Sequence, residues 1–244
     1  MKRLTRLKNR SQAGELLAQR LGAYAGRHDV IVLALPRGGV PVGFSVAQAL
    51  SAPLDILLVR KLGVPGQKEL AMGAIASGGV CVLQQEVLRV LDIPKQVVEA
   101  AVQREMREIE RREKLYRANR PMLDVRDHVV ILVDDGMATG TTMLAAVHVL
   151  REKSPSRVVV AVPVAALDTS AALRSEVDEL ICPLTPASFR SVGEWYDDFD
   201  QTSDDEVRLL LAKARKAMGS TRKTPPTGQA SRLFGAKGTT DEAD

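Results

Sequence analysis

Apolar residues fall along this chain in short continuous runs separated by longer segments of mixed character. Val30–Leu35, Leu54–Val59, Val129–Val133 and Val158–Val164 are rich in β-branched residues, and each has the length of a strand. Runs that are apolar at nearly every position predict parallel strands buried on both faces. Between them, Val40–Leu50, Thr141–Arg151 and Asp168–Glu176 read as helices. Strand–helix–strand order predicts right-handed crossovers and an α/β fold with a doubly wound, mainly parallel sheet. Ligands of such sheets sit beyond the carboxyl ends of the strands, so the loops leaving those ends are where chemistry is expected.

Other segments follow different patterns. Gly73–Leu83 reads as two short strands around the turn Ser77-Gly78-Gly79. Pro94–Arg120 reads as a long charged helix, with apolar positions at Val97, Val98, Ala101, Val102, Met106, Ile109 and, more loosely, Leu115. From Glu99 to Arg120 it carries seven basic and five acidic residues, the mix of a solvated face laced with i,i+4 pairs rather than of a nucleic-acid surface. Ser203–Met218 predicts a final amphipathic helix, opened by the capping residue Ser203 and the acids Asp204, Asp205 and Glu206. After it the chain turns to Gly, Thr, Pro, Ser and Lys without apolar period. Residues 219–244 are therefore expected to be a disordered tail behind a single domain, 1–218.

Composition narrows the picture by exclusion. The 244 residues include 34 Lys+Arg against 30 Asp+Glu, a net charge of +4, with 45% apolar and 26% charged residues. These fractions exclude disorder throughout, collagen and coiled coil. The longest apolar stretch, Val158–Leu167, is interrupted by Pro163 and is too short to span a bilayer. Met1–Arg10 carries five basic residues with no apolar stretch behind them, and does not read as a secretory leader. Cys81 and Cys182 make neither a disulfide scaffold nor a four-thiolate zinc site. Free thiols in a reducing, cytoplasmic setting are the expectation. The mild, dispersed positive charge gives little ground for a nucleic-acid partner, and no ground for a membrane.

The segment richest in chemistry is Val129–Met143, VVILVDDGMATGTTM. An apolar strand ends in adjacent carboxylates, Asp134 and Asp135. A loop with Gly136 and Gly140 follows, and Thr139, Thr141 and Thr142 lead into a helix. N–H groups at a helix N-terminus, joined by hydroxyls, form an anion site suited to a phosphate. The two carboxylates repel a second phosphate but accept hydrogen bonds from neutral vicinal hydroxyls. A phosphate beside a diol is a ribose 5-phosphate. The nucleoside-triphosphate loop pattern Gly-x4-Gly-Lys-Ser/Thr occurs nowhere.

This stretch resembles the phosphoribosyl-pyrophosphate (PRPP) signature of the type I phosphoribosyltransferases: an apolar strand, two acids, two mostly apolar positions, then a small residue and Thr-Gly-x-Thr. The resemblance extends over residues 10–218, and is nearest to bacterial members whose acceptor is unassigned. It implies that Asp134 and Asp135 hold the ribose diol, with Mg2+ bound indirectly through ribose hydroxyls or water. Ala138, Thr139, Gly140, Thr141 and Thr142 would hold the 5-phosphate. In the family, the loop after the first strand binds pyrophosphate, often with a strained peptide; here that loop is Pro36-Arg37-Gly38-Gly39-Val40-Pro41. Arg37, Gly38 and Gly39 are thereby implied as pyrophosphate ligands, as is Lys61 at the end of the second strand. Asp134, Asp135, Lys61 and Arg37 become the candidate catalytic residues. A lid is expected at Gly63–Gly73, with Lys68 and Glu69 on it, and a hood over the acceptor at residues 184–200.

One departure bears on the acceptor. In 6-oxopurine members the residue before Thr-Gly is a carboxylate that accepts a proton from the base, and here it is Ala138. Adenine-like, orotate-like or other acceptors stay open. His28, His128 and His148 sit before strands or inside a helix and read as structural. Phe189, Trp195, Tyr196 and Phe199 are four of only eight aromatics, gathered within Ser188–Phe199. On the hood, Trp195 and Tyr196 are candidates to stack on a planar acceptor; a small satellite core is the other reading. Asp197, Asp198 and Asp200 beside them serve as caps or in a metal–water shell.

The resemblance thus implies an enzyme that transfers phosphoribosyl from PRPP to a small nitrogenous acceptor with Mg2+ and releases pyrophosphate. The other reading it allows is a PRPP-binding regulator without turnover. A nucleotide hydrolase lacks further carboxylates near the motif. Oligomeric state stays open, a homo-oligomer included.

Overall fold

The computed structural model of the chain describes residues 6–118 and 120–221, with the backbone alone at 67–69 and 219–221. In chain order the strands are β1 (Val30–Ala34), β2 (Leu54–Ile56), β3 (Val59–Val64), β4 (Gln67–Ala76), β5 (Cys81–Leu83), β6 (Val129–Val133), β7 (Arg157–Ala161) and β8 (Glu179–Ile181). The helices are α1 (Arg10–Arg20), α2 (Gly39–Leu50), α3 (Gln85–Val90), α4 (Lys95–Arg117), α5 (Thr141–Arg151), α6 (Leu167–Leu173) and α7 (Asp204–Thr221). A five-stranded sheet runs β2-β1-β6-β7-β8 with every pairing parallel, and a separate three-stranded sheet runs β3-β4-β5 antiparallel.

The apolar runs are continuous because both faces of the central sheet are covered. Val30, Val32, Ala34, Val129, Ile131 and Val133 face one core, which they share with α1, α2 and α7. Ile31, Leu33, Val130, Leu132, Val158 and Val160 face the other, filled by Met143, Ala146, Val147 and Leu150 of α5. Each fully buried Val, Leu or Ile contributes about 1.5–3 kcal/mol. The register pairs Ala34 with Val133, so β1 and β6 end side by side and their following loops emerge together.

Several expected boundaries move. Leu54–Val59 is not one strand: β2 stops at Ile56, and Val59 opens β3 in the second sheet. Leu57 N–H still bonds the Ala34 carbonyl at 3.0 Å, but Leu58 already exchanges bonds with Ser77 in the loop after β4. The run stays apolar because Leu57 and Leu58 are buried throughout the handover. Lys61 therefore lies on β3, not at the end of the second central strand. The expected lid at Gly63–Gly73 is a β-hairpin of β3 and β4, turning at Pro65-Gly66 with Gly66 at φ +79°. The Lys68 and Glu69 side chains lie outside the described residues. The turn at Ser77–Gly79 forms as expected, with both glycines at positive φ.

α4 ends at Arg117, earlier than Arg120, and α6 spans Leu167–Leu173 rather than Asp168–Glu176. α7 is capped by Ser203, whose hydroxyl accepts from Glu206 N at 3.1 Å, and runs three residues past Met218. The rest of the expected tail, 222–244, lies outside the described residues. α1, α3 and β8 are additions to the sequence reading. No described helix is long and apolar enough to cross a membrane.

Candidate active site

Two loops meet at the carboxyl end of the central sheet. The loop after β1 is locked to β6 by Leu35 N–H on the Val133 carbonyl, 2.9 Å. Its Pro36–Arg37 peptide is cis. A Cβ on Gly38 would stand 2.0 Å from Asp135 Oδ2, and one on Gly39 would stand 2.7 Å from the Val133 carbonyl oxygen and 2.9 Å from Asp134 Cα. Glycine is required at both positions because the two loops touch. Gly38, Gly39, Asp134 and Asp135 thus form one contiguous surface.

The carboxylates are closely coupled. Asp134 Oδ1 accepts from Asp135 N at 2.8 Å. Burial, followed by the charge of Asp135, pushes the Asp134 pKa well above the usual carboxylate range. Burial raises Asp135 too, opposed by Arg10. Arg10 is a residue that the sequence reading did not select. Its Nε and Nη2 both lie on Asp135 Oδ2, at 2.9 and 2.8 Å, and its Nη1 bonds the Asp200 carbonyl at 2.7 Å. The guanidinium lies 4.0 Å from the centre of the Phe199 ring, a cation–π contact. Nothing local marks Arg10, since its partner lies 125 positions away.

The loop after β6 is fastened at its base and open at its tip. Met137 N–H bonds the Val164 carbonyl at 2.9 Å, and the Thr169 hydroxyl bonds the Ala138 carbonyl at 2.6 Å. Gly140, at φ +70°, is the N-cap of α5 and has no side chain to cap the helix. The first-turn N–H groups, with the Thr139 and Thr141 hydroxyls 3.2 Å apart, give this helix start the donors of an anion cradle, to which Ala138 could add only backbone. Thr142, next on the helix, is exposed.

The remaining expected residues are distributed around this centre. Arg37 is half-buried and its Nη1 lies 3.7 Å from Asp204 Oδ1, at the start of α7. It shares a cavity of about 300 Å³ with Arg10, Gly38, Asp135 and Phe199. Lys61, exposed on β3, lines a narrow cleft against Thr141 and His148 of α5, so the hairpin brings it beside the anion cradle.

The aromatic segment divides. Tyr196 is buried in the core, and its hydroxyl donates to the Asp135 carbonyl at 2.6 Å. It is a wall of the site and offers no open ring face, contrary to the expected stacking role. Its ring sits 4.9 Å from Phe199. Trp195 is half-buried, ends a short 3-10 turn, and has its indole Nε1 buried without a hydrogen-bond partner. Backbone bonds between Leu7 and both Trp195 and Asp197 tie the hood to the N-terminal segment. Asp197 pairs with Arg6 at 3.4 Å, Asp198 caps Asp200 N at 3.3 Å, and no described cluster of three His, Cys, Asp or Glu stands ready to hold a metal. Cys81 and Cys182 are free, and burial raises the Cys182 thiol to about 11. His148 lies 3.4 Å from Glu176 on the surface, and His128 bonds the Arg126 carbonyl at 2.7 Å.

The comparisons with known proteins bear on the family and the fold. The model of the phosphoribosyl transferase domain family matches residues 63–196. Two curated proteins of Mycobacterium tuberculosis, from strains CDC 1551 / Oshkosh and ATCC 25618 / H37Rv and both named as inferred phosphoribosyl transferases, are each 45% identical over 208 residues. That alignment covers 85% of this chain but 47% of each relative, so the chain spans about half the length of the curated relatives it matches. The crystal structure of TT1426 from Thermus thermophilus is 40% identical, with a TM-score of 0.78 over 85% of this chain and 98% of that one. A family model matching more than half of the chain, and these relatives, establish that the chain belongs to the phosphoribosyl transferase domain family.

Proposed function

We propose that this chain is a phosphoribosyltransferase that uses PRPP and Mg2+, transfers the 5-phosphoribosyl group to a nitrogenous acceptor, and releases pyrophosphate. The observation that carries the reading is the contact of two glycine-bearing and acid-bearing loops, Gly38-Gly39 on Asp134-Asp135, beside an uncapped helix start lined with threonines. It joins an anion cradle, a diol acceptor and a second stretch of exposed loop backbone at one sheet end. The catalytic unit in this proposal comprises the described elements from α1 to α7.

Each residue then has a task in binding or orientation. The α5 N-terminus and Thr139–Thr142 hold the 5-phosphate. Asp134 and Asp135 accept from the ribose hydroxyls; the raised pKa of Asp134 marks a half-buried carboxylate that gains from donors or a cation. Gly38 and Gly39 present backbone to the pyrophosphate, with Arg37 and Lys61 as its charged partners. Negative charge grows on the leaving oxygens as the C1–O bond breaks, and fixed donors there lower the barrier. Two carboxylates without a third side-chain ligand fit an ion that keeps its waters and arrives with a phosphorylated substrate, as Mg2+ does. When bound, Mg2+ supplies charge neutralisation of the pyrophosphate. Trp195 is retained as an acceptor-side candidate; Tyr196 supports the site from behind.

Titration calorimetry with PRPP and Mg2+ tests the binding site. Asp134→Asn with Asp135→Asn should weaken PRPP binding by about tenfold to a hundredfold, from the loss of charge-assisted hydrogen bonds at about 1.5–3 kcal/mol each. Chelating Mg2+ should weaken it in the unmodified chain as well. Unchanged affinity in a folded double variant sinks the site. Pyrophosphate release, screened with PRPP against free bases and small amines, tests turnover. Binding without release in any arm would favour the regulator.

A further inference from the structure

At the opposite end of the central sheet, where β1, β2 and β6 begin, lies a cavity of about 470 Å³. That is the size of a small-molecule site. Its wall is apolar at Ile31, Pro53, Leu54, Ala214 and Met218. It is also lined by Arg117, Arg120 and Arg215, by His28 and His128 from the turns before β1 and β6, and by Asp55 and Asp124.

Arg117, Arg120 and Arg215 stand against Asp55, Asp124 and Glu113 here, but the ion pairs found among these described residues all fall on Arg117. Arg117 is buried and fully engaged, by Asp55 at 3.1 Å, by Glu113 at 2.6 Å and by the Ile56 carbonyl. Asp55 is equally committed, accepting from Ile56 N at 2.8 Å and from Leu123 N at 3.1 Å besides Arg117. Asp124 accepts from Arg126 N at 3.1 Å. That leaves Arg120 and Arg215, for neither of which a side-chain hydrogen bond or ion pair is found among the described residues. Arg215 is half-buried on α7, and its pKa is lowered first by burial and then by the charge of Arg120, with the charge of Asp55 opposing both. Two guanidiniums that line one apolar hollow without a side-chain partner among the described residues leave charged donors that an anion can join.

We propose that this cavity binds an organic phosphate monoester, its dianionic phosphate bridged by Arg120 and Arg215 and its body seated on Ile31, Pro53, Leu54, Ala214 and Met218. Two forked guanidiniums match the charge and the several oxygens of a phosphate monoester better than a single carboxylate does. The site is separate from the PRPP loops, which leave the other end of the same strands. α7 reaches both places: Asp204 at its start faces Arg37, and Arg215 lines the cavity.

The test uses AMP as probe, with adenosine and inorganic phosphate as its two halves, in titration calorimetry on the full chain. Thr142→Glu places a carboxylate in the anion cradle and removes AMP binding there without touching the cavity. In that background one AMP site should remain, with weaker binding of inorganic phosphate and none of adenosine. Adding Arg120→Ala and Arg215→Ala should raise the AMP Kd at least tenfold, an order-of-magnitude figure for losing charged hydrogen bonds. No ion pair of these arginines is found among the described residues, so the melting temperature should hold or rise. Arg120→Glu, at an exposed position, provides a second variant and should abolish the binding by itself. If Thr142→Glu binds no AMP, or if the arginine variants bind it unchanged, the proposal fails.

Discussion

Asp134 and Asp135 are adjacent in sequence and both hold their protons more tightly in the folded chain, yet of the two it is Asp135 that carries the ion pair to Arg10. Asp134 is a half-buried carboxylate beside another and forms no ion pair with a guanidinium among the described residues, so the folded chain holds its proton more tightly than the unfolded chain does. The native state then binds more protons than the unfolded one above the ordinary pKa of 3.8, and stability falls as pH rises through that window. Asp134→Asn removes that cost and keeps an oxygen to accept from Asp135 N. In metal-free buffer at pH 7 it should raise the melting temperature while weakening PRPP binding. Asp135→Asn strips Arg10 of a partner whose side chain is only 15% exposed, and should lower stability by about 1–3 kcal/mol. Calorimetric melts of the two single variants check this, and the reverse order would refute it. Sequence alone identified both acids, but not their difference, because Arg10 reaches Asp135 only through the fold.

Elements show the same division between local and distant causes. β6, α5 and the Ser77–Gly79 turn were legible because each is specified by its own residues: an apolar run, a threonine-led helix start, two glycines at positive φ. α1 escaped because its packing face is built mostly from small residues. A Cβ on Gly14 would meet the Val42 carbonyl oxygen at 2.5 Å, so the helix approaches α2 closely, and within the helix Leu17 is the large side chain on a buried face otherwise made of Ala13, Gly14 and Ala18. The β2–β3 break was hidden because burial continues across it. The joint of α4 with α7 is a third such case: the Tyr116 hydroxyl donates to Asp204 Oδ1 at 2.5 Å, and burial, then Asp204, raises its pKa to about 12. Below pH 10 this bond stabilises the fold; between about 10 and 12 the unfolded chain loses the phenol proton first, and the stabilisation drains away. Tyr116→Phe should therefore cost about 1 kcal/mol at pH 8 and progressively less above pH 10. Denaturant titrations at both ends of that range measure the difference, and a gap that widens with pH would contradict the assignment.

Across the whole molecule, Arg10 ties together parts that the sequence keeps far apart. It starts α1, holds the acid after β6, bonds the Asp200 carbonyl and stacks on Phe199 of the hood. Both of its contacts with Asp135 fall on Oδ2, so the guanidinium sets the rotation of that carboxylate. Removing it leaves a partly buried acid unpaired and takes one of several anchors from residues 195–200. Arg10→Ala should destabilise the fold by about 2–4 kcal/mol, the range for breaking a buried ion pair together with a cation–π contact. It should also weaken PRPP binding about tenfold, because Asp135 would lose its orientation as well as its partner. Arg10→Lys keeps the charge but neither the fork nor the planar stack, and should recover about half of the lost stability with less of the lost affinity. Melting curves and PRPP titrations on the same three proteins separate positioning from packing. A variant that melts early but binds PRPP as tightly as the parent would make Arg10 a purely structural clasp.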